Sequence, residues 1–157
     1  MSVSGVEVTA VSAHGPVARE CLDRYFDELA ARFPEGYDRQ SDGAAELDHF
    51  SPPAGVFLVA QIAEKPVGCG ALRAFSPGIG EIKRMWVSPE FRRRGVGRTL
   101  LEALERAARD RDLRSVRLDT HSSLAEALRL YRASGYREIP RFNDSAYARH
   151  WFEKAFD

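Results

Sequence analysis

The sequence predicts an α/β fold in which a mixed, mostly antiparallel sheet is flanked by helices. Runs such as VEVTAV, VFLVAQI and SVRLDT have strand character, either alternating or continuously apolar. Runs with apolar residues three and four apart lie between them and read as helices. The resulting order is β-α-loop-βββ-α-β-α-ββ, with no linker that would divide the 157 residues. Residues 1–157 are therefore read as one domain, long enough to bury a substantial core.

Each element has a local reason. Val6–Val11 reads as a strand. Pro16 then opens a helix, a first turn being where proline is tolerated. Leu22, Tyr25, Phe26, Leu29 and Phe33 recur at helical spacing, and FPEGYD ends the run. The following stretch to Gly55 is polar and broken by Gly and Pro, with one short helical turn expected at Ala44–Asp48. Two β-rich runs then flank Glu64-Lys65-Pro66 as a hairpin, and SPGIG makes the next turn. With EIKRMWV they form an antiparallel meander from Val56 to Val87. Val96, Leu100, Leu101, Leu104, Ala107 and Ala108 share one face of a second long helix. SVRLDT is a short strand. Leu124, Ala127, Leu128 and Tyr131 mark a further helix, stopped by Gly135. YREI and ARHWFEKAF are the last strands, joined by the loop PRFNDSAY. An exposed C-terminal strand would offer an edge for pairing across a homodimer.

Lys plus Arg and Asp plus Glu both count 23. A chain of zero net charge carries no global field for nucleic acid or a membrane surface. Cys21 and Cys69 form no CxxC pair, which argues against a zinc site or a disulfide framework and fits a reducing cytoplasm. The N-terminus has no basic start followed by an apolar run, and the most apolar segment, Val56–Ala63, is far too short to span a bilayer. A cytoplasmic location is expected.

The informative stretch is FRRRGVGRTLLEALERAARD. It sets Arg92, Arg93, Arg94 and Arg98 at the start of a helix, where the peptide dipoles already place about half a positive charge. Arginines belong there if an anion sits among them, on backbone amides that Gly95 and Gly97 leave open to close approach. The alternative is arginines that simply extend into water. The dinucleotide fingerprint fails because Leu100 fills its third glycine position, and no P-loop pattern occurs. Phe91 is the one aromatic among the arginines, which is poor for stacking nucleic-acid bases.

Arg92, Gly95 and Gly97 fill the fixed positions of the Q/R-x-x-G-x-G/A motif, the preceding strand ends in MWVSP, and EALRLYRASGY follows later. In these features the chain resembles the GNAT superfamily of acetyl-CoA-dependent N-acetyltransferases, most sharply from Val67 to Tyr136. The resemblance implies a sheet splayed between its fourth and fifth strands, with acetyl-CoA as co-substrate and no metal. It implies that the loop Arg92, Arg93, Arg94, Gly95, Val96, Gly97, Arg98 and Thr99 binds the coenzyme pyrophosphate through its amides. One or more of Arg93, Arg94 and Arg98 would reach the 3′-phosphate. Met85, Trp86 and Val87 would contact the pantetheine arm through their main chains, beside a bulge. Many members have Asn seven residues before the equivalent of Tyr131; here that position is Leu124, with His121, Ser122 or Ser123 as substitutes.

Acetyl transfer to an amine needs a base, because an ammonium with pKa near about 10 has no lone pair. It also needs an oxyanion donor and a proton for the leaving thiolate. Glu81 is the base candidate by resemblance, or else a surface carboxylate paired with Lys83 or Arg84. Strand alternation puts Glu81, Lys83, Met85 and Val87 on one face and Ile82, Arg84 and Trp86 on the other. Tyr131, in ALRLYRASGY, is the candidate acid by the same resemblance, or else a core aromatic at a helix end. His14, His49, His121 and His150 lack metal-ligand spacing and read as loop or surface groups, and Cys69 as a small strand residue. Tyr37, Arg73, Asn143, Asp144 and Tyr147 are candidate contacts to the acceptor. The expected function is transfer from acetyl-CoA to a primary amine of a small molecule, by direct attack in a ternary complex. The alternatives are a peptide or protein acceptor, an acyl-CoA-binding module without turnover, and a nucleic-acid-binding module.

Overall fold

The computed structural model describes residues 5–38 and 45–157. The elements are β1 (Val6–Val11), α1 (Pro16–Arg32), α2 (Ala45–His49), β2 (Val56–Ile62), β3 (Lys65–Ser76), β4 (Ile79–Val87), α3 (Val96–Asp110), β5 (Ser115–Thr120), α4 (Ala125–Ala133), β6 (Arg137–Ile139) and β7 (His150–Ala155). The short helical turn expected at Ala44–Asp48 appears as α2, and Ala44 itself lies outside the described residues.

The strands form one seven-stranded sheet in the order β1-β2-β3-β4-β5-β7-β6. The pairings are antiparallel except β4 with β5. The β2–β3 turn falls at Ala63 and Glu64, both with positive φ (49° and 65°), one residue earlier than the sequence suggests. A two-residue loop with both residues left-handed matches the strand twist.

Both faces of the sheet are covered, which explains why β2 is apolar throughout. Val56, Leu58 and Ala60 face α3, where Leu100, Leu101 and Leu104 pack. Phe57 and Val59 face α1, against Leu22, Phe26 and Leu29. The last strand is not an exposed edge. β7 inserts between β5 and β6, so both its sides are paired, and the edge expected to serve a dimer is occupied by β6.

Two irregularities lie along β4. β4 and β5 pair only at Ile79↔Ser115, Gly80↔Val116 and Glu81↔Arg117, and diverge beyond. On its other side β4 carries an extra residue, since Ala71↔Lys83 is followed by Cys69↔Trp86. This bulge holds Arg84 at φ 59°, a left-handed conformation. The Cys69 thiol, fully buried, donates to the Arg84 carbonyl at 3.3 Å. The bulge also corrects the strict alternation. Met85 and Val87 join Ile82 against the α3-side core, while Trp86 packs on the α1 side.

Candidate active site

α3 begins without a side-chain cap and without an acidic residue in its first turn. Gly95 is its N-cap at φ 82°, a region glycine enters freely. The first backbone bond runs from Thr99 N–H to Gly95 O at 3.0 Å, and the Thr99 hydroxyl donates to the same oxygen at 2.9 Å. The amides of Val96, Gly97 and Arg98 precede that bond and have no intrahelical acceptor. Val96 itself is a core side chain, 1% exposed, so only its main chain is available to a ligand.

A groove of about 810 Å³ starts at this helix end and runs along β4 to α4. Arg93, Gly95, Gly97 and Arg98 line its head, Met85, Trp86 and Val87 its length, and Tyr131 its far end. Arg129, which no sequence motif singled out, also lines it from α4. Arg94 instead lies 5.4 Å over the Phe91 ring.

Arg92 has a different task from its neighbours. It donates to the Val87 carbonyl at 3.0 Å and to Glu28 of α1 at 2.6 and 2.8 Å. Glu28 also accepts from Trp86 Nε1 at 3.0 Å and from Arg32 at 2.9 Å. Arg32 is ion-paired with Glu126 of α4 and donates to the Ser123 carbonyl at 2.8 Å. The network ties α1, the end of β4 and the start of α4 together around the groove.

Burial alone would lift the Glu28 carboxyl, but hydrogen bonds from Arg92, Arg32 and Trp86 outweigh it and hold it below the usual range. Glu126 is held low in the same way, burial being outweighed by Arg32, a backbone N–H and the charge of Arg92. A carboxyl depressed in the folded state stabilises above its unfolded pKa of about 4.3, and that stability is lost as pH falls through the lower folded value. The melting temperature is therefore expected to fall on acidification below about pH 4.3. Glu28→Gln should melt lower than wild type at neutral pH and lose less on acidification; thermal melts across pH check this.

A second cavity, of about 90 Å³, meets the groove at Tyr25, Leu29, Met85, Leu124, Ala127 and Tyr131. Tyr131 is 4% exposed, lines both spaces, and its hydroxyl has no hydrogen bond among the described residues. Burial, then the neighbouring Tyr25 and Asp119, push its pKa well above the ordinary phenol value, so the proton stays on at neutral pH.

Glu81 borders neither space. The sheet has not yet opened at Glu81↔Arg117, and the side chain, 2% exposed, is engaged by Asn143 at 3.0 Å, Arg73 at 3.7 Å and Lys83 at 3.8 Å. Of the candidate acceptor contacts, Tyr37 and Tyr147 line the small cavity. Asn143 stands behind it, Arg73 lies with Glu81, and Asp144 is exposed and bonded to Arg141. His121 lies in the β5–α4 loop, one of the two settings expected of it, but is buried there. It is 7% exposed, stacked on Phe33 at 4.0 Å, and meets Glu35 at 3.2 Å through Nε2 while Nδ1 accepts the Ser123 N–H. Leu124, at the expected Asn position, is the N-cap of α4 and an apolar wall shared by both spaces.

A sheet opened between β4 and β5, with an uncapped helix end at the head of the resulting groove, is the arrangement that the resemblance to acetyltransferases implies. The comparisons with known proteins agree. The family model described as "Acetyltransferase (GNAT) family" matches residues 22–136. An "IAA acetyltransferase" of Azospirillum brasilense is 37% identical over 120 residues, covering 76% of this chain and 74% of that protein. Among solved structures, an acetyltransferase from Streptococcus agalactiae superimposes with TM-score 0.80 at 21% identity, covering 98% of this chain and 99% of that one. The PaiA N-acetyltransferase from Thermoplasma acidophilum, solved in complex with coenzyme A, gives 0.74 at 17% identity, over 96% and 99%. The chain belongs to the GNAT acetyltransferase family.

Among the described residues, no helix is long and apolar enough to cross a membrane, and no group of three His, Cys, Asp or Glu side chains is placed to hold a metal ion.

Proposed function

We propose that the protein transfers the acetyl group of acetyl-CoA to a primary amine of a small molecule, by direct attack in a ternary complex. The observation that carries this is the continuity of the two spaces. The groove has amides and cations at one end and Tyr131 at the other, where the small cavity opens. The coenzyme pyrophosphate would sit on the amides of Gly95–Arg98, with Arg93, Arg98 and Arg129 as cations for its phosphates. The pantetheine arm would lie along Met85, Trp86 and Val87, where β4 lacks a partner strand on the β5 side. The thioester would then lie beside Tyr131, which would protonate the departing thiolate. Glu81 would contribute through Asn143 rather than by touching the substrate. A cavity of about 90 Å³ favours a small acceptor over a peptide.

Coenzyme A should protect the protein against thermal unfolding, by about 2.7 kcal/mol at a hundred times its Kd. Adenosine, which lacks the phosphates, should protect much less. Equal shifts from the two ligands in a melting assay would remove the case for a pyrophosphate site. Release of free thiol from acetyl-CoA across a panel of amines, amino acids and peptides then distinguishes acceptors, and no release with any of them would favour a binding module.

A further inference from the structure

Resting on the acetyltransferase reading above, we infer that Asp119 receives the acceptor's ammonium, and that the acceptor is a small primary ammonium compound carried on an apolar or aromatic body. Asp119 is the one acidic residue among the described residues lining the small cavity. It lies on β5, opposite the opened part of β4, in the space that Tyr131 also borders.

Its orientation is fixed from behind. Asn143 Nδ2 donates to Asp119 Oδ2 at 2.7 Å and to Glu81 Oε2 at 3.0 Å, which uses both amide hydrogens. Asn143 Oδ1 accepts from Trp151 Nε1 at 2.9 Å and from the Ser145 N–H at 3.3 Å, so the amide cannot be turned over without losing four bonds. Asp119 Oδ1 has no partner among the described residues and is left for a ligand.

The remaining walls suit a cation on an apolar carrier. Tyr37 and Tyr147 lie 4.6 Å apart, and Phe33 is 5.7 Å from Tyr147. Ring faces attract cations and cover apolar groups. Two basic residues, Lys83 and Arg84, also line the cavity, but both are compensated. Arg84 pairs with Glu46, and Lys83 lies 4.0 Å from Glu46 and 3.8 Å from Glu81.

The carboxylate has a use beyond binding. The bound ammonium first gives one proton to solvent through Asp119 Oδ1, and the resulting neutral amine attacks the thioester carbon, forming the C–N bond while the carbonyl oxygen takes the π pair. The nitrogen is then cationic, and its proton passes to Asp119 Oδ1. The carbonyl re-forms, the C–S bond breaks, and the thiolate takes its proton from Tyr131. Tyr131 is reprotonated through solvent by the proton that Asp119 holds, so the amine's proton ends on coenzyme A.

The test uses the whole protein saturated with coenzyme A, which gives no turnover. Titration calorimetry compares tyramine with tyrosol, and pentylamine with 1-pentanol, pairs that differ only in ammonium against hydroxyl. Wild type should bind the ammonium member of at least one pair tenfold or more tightly than its alcohol. Asp119→Asn should erase the preference while keeping the coenzyme A thermal shift, since its amide oxygen can still accept from Asn143. The inference is overturned if wild type shows no preference, including no binding of either amine, or if Asp119→Asn retains it. The wild-type arm stands alone if the variant does not fold. Loss of the coenzyme A shift in wild type would instead sink the acetyltransferase reading.

Discussion

Gly97→Glu is expected to abolish coenzyme A binding. Gly97 stands in the first turn of α3 and lines the groove where the unpaired amides point. A Cβ there would lie 3.1 Å from Leu130 Cδ2 and 3.5 Å from Val87 Cγ2. The first contact is tight, but it is with the tip of a side chain that can shift. Overpacking of this kind costs about 1–3 kcal/mol, which lowers the melting temperature without unfolding the protein. The carboxylate is the larger effect. A like charge about 4 Å from a phosphate, at an effective dielectric of about 20, costs roughly 4 kcal/mol, close to a thousandfold in affinity. Gly97→Ala adds the same Cβ without the charge and should lose far less. Calorimetric titration of coenzyme A into the two variants separates bulk from charge. A folded Gly97→Glu variant that binds like wild type would remove the pyrophosphate assignment.

Tyr131→Phe is expected to lower kcat by roughly 10²–10⁴-fold, the range for losing a general acid. The lower end is the better expectation, because a thiolate is a tolerable leaving group and water can deputise. The ring keeps its packing against Tyr136 and Phe152. The hydroxyl has no hydrogen bond to lose among the described residues, so melting temperature and coenzyme affinity should barely move. Steady-state kinetics beside a melting curve gives the answer. Wild-type kcat with chemistry rate-limiting would return Tyr131 to a packing role. Early melting with weak coenzyme binding would show instead that the hydroxyl supports the pocket.

What the sequence discloses is what local chemistry controls. SVRLDT is a strand because its alternation survives in the fold, and Gly135 ends α4 at φ 90° as a left-handed stop. The anion-type helix start is legible because Gly95, Gly97 and the arginines are contiguous. The bulge at Arg84 is not legible, since nothing in EIKRMWV marks a left-handed residue, and it is enough to send Met85 to the face opposite the one alternation assigns. The place of β7 between β5 and β6 depends on pairings such as Ser115↔Ala155, far apart in the chain. Asp119 is hidden for the same reason, and Asn143 is legible only as a candidate contact to the acceptor, not as the partner of Asp119. Their meeting needs the opening after Glu81↔Arg117 and the return of the 141–147 loop, neither of which leaves a spacing to read. Arg92 fits the motif correctly by position, yet its side chain turns to Glu28, a residue 64 positions away.

That turn alters the field a ligand meets in solution. With the Arg92 charge compensated by Glu28 and Glu126, the cations lining the groove without an ion pair among the described residues are Arg93, Arg98 and Arg129. A polyphosphate approaching from bulk water is drawn by these exposed groups, and such attraction fades beyond a Debye length of about 8 Å at physiological ionic strength. If the phosphates sit on the α3 amides as proposed, arriving and staying would be governed by different parts of the site. Encounter rate would belong to the exposed arginines and be sensitive to salt, whereas residence would belong to fixed amides that counter-ions screen poorly.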